Sequence, residues 1–100
     1  MRAKLHRAAS RELIEALLYL EQERVGWGDR FLAAFNVGRN FLLQYPNAGR
    51  PTILRSRSWE ITGFRYDIVY VIRGELIFIV AVAHHRRRPG YWRSRLRQVA

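Results

Sequence analysis

The sequence predicts one α+β domain: a helical hairpin packed on a small, mostly antiparallel sheet in the order β-α-α-β-β-β, with a stretch over 91–99 that could form a terminal helix. Three observations carry this. Leu76 to Ala83 is an unbroken apolar run rich in Ile and Val, which suits a strand covered on both faces and is too short to cross a membrane. Residues 8–24 and 29–45 carry apolar side chains at three- and four-residue intervals, the period of amphipathic helices. A chain of 100 residues with 49% hydrophobic content and no long linker can build one core, so a single domain is expected over 1–100.

In residues 2–7, Ala3 and Leu5 alternate with Arg2, Lys4 and His6, as in a short first strand. His6 reads as a solvated strand end, because no His-x-x-x-His or carboxylate spacing offers it metal partners. The first helix sets Leu13, Ala16, Leu17 and Leu20 on one face and Glu12, Glu15, Glu21 and Glu23 elsewhere. Ser10 could cap a late start, but Ala8 and Ala9 favour an earlier one. Gly26 and Gly28 around Trp27 break the run, and Asp29 suits the beginning of a second helix. That helix carries Phe31, Ala34, Phe35, Gly38, Phe41, Leu42 and Tyr45 as a broad apolar stripe, and Pro46 stops it. Gly38 costs about 1 kcal/mol relative to Ala inside a helix, so a close contact is expected there. After the turn cluster 46–51, residues 52–62 read as extended, Gly63 turns the chain, and Arg65 to Ile72 form a strand. Arg73-Gly74-Glu75 turns into the run Leu76 to Ala83, read as the central strand, and Pro89-Gly90 ends the extension. In the terminal segment Arg93, Arg95 and Arg97 are expected in solvent or on a partner.

The net charge is +10 and unevenly spread. Residues 1–49 hold seven Lys or Arg against five acids, and residues 50–100 hold eleven Arg against three. Such a field attracts polyanions, nucleic acid first, and an acidic protein equally well. Lys4 is the single lysine, and an Arg-rich genome explains that bias as simply as phosphate binding does. Without cysteine there is no disulfide framework and no thiolate metal site, and residues 1–7 lack the apolar core of a secretory signal. A cytoplasmic protein with no membrane contact, cofactor or metal is expected.

Two stretches carry a resemblance: FRYDIVY, Phe64 to Tyr70, and VAVAHHRRRPGYW, Val80 to Trp92. Together they resemble the C-terminal signature of the RelE/ParE toxins of bacterial type II toxin-antitoxin systems. The resemblance implies two N-terminal helices on a small sheet, and a cognate antitoxin whose C-terminal segment wraps the toxin. The charge of +10 favours acidic residues in that segment. It also implies one of two targets, DNA gyrase in the ParE-like branch or the ribosome and its mRNA in the RelE-like branch.

Cleavage of RNA needs a base, an acid and fixed positive charge at the phosphate, roles that His85, Tyr91 and Arg86 could fill. In the RNA-cleaving branch, however, a basic residue usually stands where this chain has Asp67, and the basic positions near Trp59-Glu60-Ile61 are not clearly kept. Tyr91 matches that branch's C-terminal Tyr, and His85 falls near its final-strand Arg. The gyrase reading is therefore preferred, with Arg65, Arg86, Arg87, Arg88, Tyr91 and Trp92 as the target-binding set. A basic nucleic-acid-binding module without toxicity is a third reading, though no recognition helix or RNA-stacking motif supports it. The plain structural alternative makes the arginines a solvated rim and Tyr91-Trp92 a hydrophobic latch on the sheet.

Overall fold

The computed structural model describes residues 1–99. Its elements are β1 (Arg2–Leu5), α1 (Arg7–Glu23), α2 (Trp27–Gln44), β2 (Arg50–Pro51), β3 (Arg57–Glu60), β4 (Tyr66–Arg73) and β5 (Leu76–His84). They form one five-stranded sheet in the order β1-β5-β4-β3-β2. Strands β2 to β5 are an antiparallel meander, whereas β1 pairs with β5 in parallel, with Ala3 opposite Ile77. The helical hairpin forms the crossover between β1 and the rest, so the sheet is mostly antiparallel, as expected.

Strand β5 is interior and the longest, with both faces covered, but β4 holds the central place in the order. The helix-facing layer of the core contains Phe31, Phe35, Leu42, Ile61, Ile68, Tyr70, Ile77, Ile79 and Val82. The opposite face of the sheet holds Val69, Val71, Val80, Ala81 and Ala83 beneath Leu96, Tyr91 and Trp92. The C-terminal stretch Arg93–Val99 is 3₁₀ rather than α-helical and closes this second layer. Burial of Leu96 holds it on the sheet, and the latch reading of Tyr91-Trp92 describes its packing.

Local departures from the sequence reading have physical causes. Helix α1 starts at Arg7, one residue early, because the His6 imidazole caps it by accepting from the Ala8 amide at 3.0 Å. His6 also hydrogen-bonds Gln98 and is half-buried, so it is no solvated strand end. Helix α2 starts at Trp27, ahead of Asp29, since Gly26 adopts φ +91° and the Glu21 carboxylate accepts from the Gly26 and Gly28 amides at 3.0 Å. Gly38 has the expected close contact: a Cβ there would stand 3.3 Å from Ile68 Cδ1 and 3.4 Å from Trp59 Cδ1. The stretch 52–62 is not continuously extended. A 3₁₀ turn at Ile53–Arg55, with Leu54 and Arg55 at positive φ, interrupts it and adds the short strand β2.

One irregularity sets the rest of the site. Between β4 and β5 the register runs Tyr70 opposite Ile79 and then Val69 opposite Ala81, which leaves Val80 as an extra residue, a β-bulge. Beyond the bulge every β5 residue is displaced by one relative to β4, so Asp67 faces Ala83.

Candidate target-binding face

The bulge is held from outside the sheet. Glu12 on α1 reaches it and fills its acceptor positions: Oε1 accepts from Arg95 Nη1 at 2.8 Å and from the Val82 amide at 3.1 Å. Its Oε2 accepts from Arg95 Nη2 at 3.0 Å and from the Tyr91 hydroxyl at 2.8 Å. Arg95 also donates to the carbonyl of Val80, the bulged residue, at 3.0 Å. The pair is bidentate and largely buried, with side-chain exposures of 12% for Glu12 and 17% for Arg95. Arg95 is thus not one of the solvated terminal arginines, and Glu12 is not a surface carboxylate.

Tyr91 is committed to this clamp. Burial, reinforced by the hydrogen bond to Glu12 and that carboxylate's charge, pushes its phenol well above the ordinary tyrosine range. The Arg87 guanidinium covers its ring at 3.9 Å and Arg95 approaches it at 5.2 Å. A phenol held as donor to a buried carboxylate is poorly placed to give a proton to a leaving oxygen.

The register shift decides which histidine meets which face. His84 lies on the helix side, its ring edge-on to Tyr66 with centroids 4.9 Å apart. His84 Nδ1 accepts from the Arg86 amide at 3.0 Å, which requires an unprotonated nitrogen. Desolvation lowers its pKa, with the charges of Arg86, His85 and Arg65 adding to the effect. The fold therefore favours the neutral ring. That contribution to stability is complete above the ordinary histidine value and is lost as pH falls toward the lowered folded value. Resolved imidazole NMR signals should show His84 titrating below a free histidine, and His84→Asn should remove its share of the acid-side stability loss.

His85 lies on the opposite face, where Nε2 is 2.9 Å from Asp67 Oδ1 and 3.9 Å from Glu60 Oε2. Asp67 Oδ2 accepts from the Ser58 hydroxyl at 2.9 Å, and Arg50 stands 4.0 Å away. Glu60 and Asp67 are direct cross-strand partners, a like-charge pairing that His85 and Arg50 offset. Glu60, Asp67 and His85 bring ligand-type atoms within 4.8 Å of one another, but both Asp67 oxygens already have protein partners. Ser58 donates to the acid rather than to the imidazole, so the trio does not activate a nucleophile.

The side chains of the arginine run have different surroundings. Arg86 turns its charge toward Tyr19 and His84, Arg87 covers Tyr91, and Arg88 lines a cleft with Arg50, Arg93, Arg97 and Trp92. Arg65 is exposed at the head of β4, its carbonyl accepting from the His85 amide at 2.9 Å. The residues expected to work together thus divide: His85 belongs to the acidic end of the sheet face, Tyr91 to the clamp, and Arg88 and Trp92 to the basic cleft. Sequence reasoning missed Glu12, Arg95, Ser58 and Arg50. The spacing of Tyr91 and Arg95 was a usable sign for the clamp, but nothing local pointed from it to α1.

The family model described as the ParE toxin of the type II toxin-antitoxin system parDE matches residues 3–89. The chain belongs to the ParE toxin family. A solved structure titled as the chromosomal ParDE TA system from P. aeruginosa shares the ParE fold with it at a TM-score of 0.65 and 20% sequence identity, over 84% of this chain and 95% of that one. No curated protein matches in sequence. Membership in the ParE family makes the chain a type II toxin by family, and among the described residues no helix is long and apolar enough to cross a membrane.

Proposed function

We propose that this toxin arrests growth by inhibiting DNA gyrase and is neutralised by a cognate antitoxin. The observation that carries the choice of target is the Asp67–His85 contact on the open sheet face. Where phosphodiester cleavage needs uncommitted positive charge, this chain holds two carboxylates, and Asp67 engages the His85 ring. Tyr91, bound to Glu12, leaves the acid's role without an obvious holder. Membership in the ParE family supports the same direction. The antitoxin segment would cover the exposed apolar residues Val37 and Phe41 of α2 and Tyr45 at its C-terminal cap, where Phe41 stacks on Trp59 with ring centroids 5.0 Å apart. Acidic residues in that segment would complement the charge of +10.

The test in cells is induction of the chain alone and together with the product of any small neighbouring gene. Growth arrest, loss of supercoiling in a reporter plasmid and rescue by the neighbour are the expected results. Growth without arrest would count against a toxin, and arrest with unchanged topoisomers against the gyrase target. Replacing Arg86, Arg87 and Arg88 together by Ala should weaken toxicity at equal protein level, because electrostatic steering toward a nucleoprotein target is worth about 10-fold or more in association rate. Full toxicity from that folded variant would put the working surface elsewhere.

A further inference from the structure

The cleft between β2 and the C-terminal 3₁₀ segment is a second feature, adjoining the Asp67–His85 face along Arg50, Thr52, Pro89 and Trp92. Arg50 and Thr52 line one side and Arg93 and Arg97 the other, with Arg88 and Trp92 among the remaining lining residues. No Asp or Glu lines it, although the adjoining cleft over the sheet contains Glu60 and Asp67. Arg50, Arg88, Arg93 and Arg97 are all exposed; Arg50 reaches Asp67 at 4.0 Å, and Arg88, Arg93 and Arg97 have no ion-pair partner among the described residues. The three unpaired guanidinium groups of Arg88, Arg93 and Arg97, with Arg50 beside them, repel one another unless an anion joins them. The two sides meet at Gly90 and Ile53, where a Cβ on Gly90 would stand 3.4 Å from Ile53 Cδ1. Trp92 borders both clefts, and its Nε1 is buried with no acceptor among the described residues.

We propose that this cleft binds a single strand of nucleic acid through its phosphates. Arginines on both walls suit a line of phosphates passing between them. An aromatic border beside a basic groove is the arrangement that holds single strands without reading their sequence. The acidic end of the sheet face fixes where the strand stops, since Glu60 and Asp67 would repel the next phosphate. The site does not depend on gyrase as the target, because the strand is bound by the toxin alone.

Fluorescence anisotropy of a labelled oligothymidylate, titrated with purified toxin at several salt concentrations, tests this. Four phosphate contacts would give a slope of log K against log salt of about −3, at about 0.7 per contact on single strands. Arg93→Ala/Arg97→Ala should flatten that slope by about 1.4 and weaken binding on the order of 10-fold, while Arg93→Lys/Arg97→Lys keeps the slope. Arg11→Ala/Arg30→Ala, which removes equal charge from the helices, should keep the original slope. An equal loss in both Ala variants would mean that binding follows net charge, and the cleft would have no part in it. Tighter binding of the matching duplex, or displacement of the strand by an equal charge of polyglutamate, would also overturn the proposal. The second of these would make the cleft a site for an acidic peptide.

Discussion

Replacing Glu12 by alanine should destabilise the protein by about 3–5 kcal/mol, the usual consequence of removing one partner from a buried ion pair. Arg95 would be left charged and largely buried, the Tyr91 hydroxyl and the Val82 amide would lose their acceptor, and the C-terminal segment would lose its tie to α1. For a domain of this size that corresponds to a fall in Tm of more than about 12 °C. Adding Arg95→Met should recover part of the loss, because it removes the stranded charge; two independent effects that simply add would show that the clamp is not a unit. Hydrogen exchange offers a local reading. The Val82 amide, whose acceptor is the Glu12 side chain, should lose protection before the amides of β4 do. Persistence of its protection in Glu12→Ala would mean that the bulge is held without the clamp.

Gly49→Ala should be a costly change outside the clamp. A Cβ there would lie 2.5 Å from the Tyr70 hydroxyl, 2.8 Å from its ring edge and 3.0 Å from Arg57 Cβ. Tyr70 cannot yield easily, since it is fully buried, accepts from the Gly49 amide at 3.0 Å and donates to the Pro46 carbonyl at 2.6 Å. Overpacking of this kind costs about 1–3 kcal/mol, and losing the hydroxyl's two bonds adds to it as the turn is pushed away. Tyr70→Phe alone should cost about 1–3 kcal/mol through the orphaned turn groups. The double variant should be less unstable than the sum of the two, because the closest clash is gone while the ring-edge contact remains. Strict additivity would show that the turn relaxes around the new methyl group.

How far the sequence reveals this molecule depends on the range of the interaction. The run Leu76 to Ala83 and the two amphipathic periods declare themselves locally, because burial on both faces or on one stripe imposes a pattern within a few residues. The turn at Leu54 and Arg55 does not, since positive φ usually calls for Gly or Asn and here falls on residues that give no sign of it. Asp67 stands out in sequence as an acid where the RNA-cleaving branch is basic, but its partner is not visible. A regular hairpin back from the Gly74 turn sets Asp67 diagonal to His84, and only the extra residue Val80 brings His85 there instead. The clamp joins residues far apart in the chain and is the least legible. Glu12 looks like one of four helix-surface glutamates until the fold brings Arg95 and Tyr91 to it.

The most direct test of the gyrase assignment is to add the purified protein in parallel to gyrase supercoiling of plasmid DNA and to translating ribosomes carrying a defined mRNA. The expected result is lost supercoiling or accumulated cleaved DNA complexes, with the mRNA intact and with His85→Ala no weaker than its folded fraction allows. Discrete cuts in the mRNA, slowed on the order of 10²-fold or more by His85→Ala or Tyr91→Phe, would contradict it and make the chain a ribonuclease.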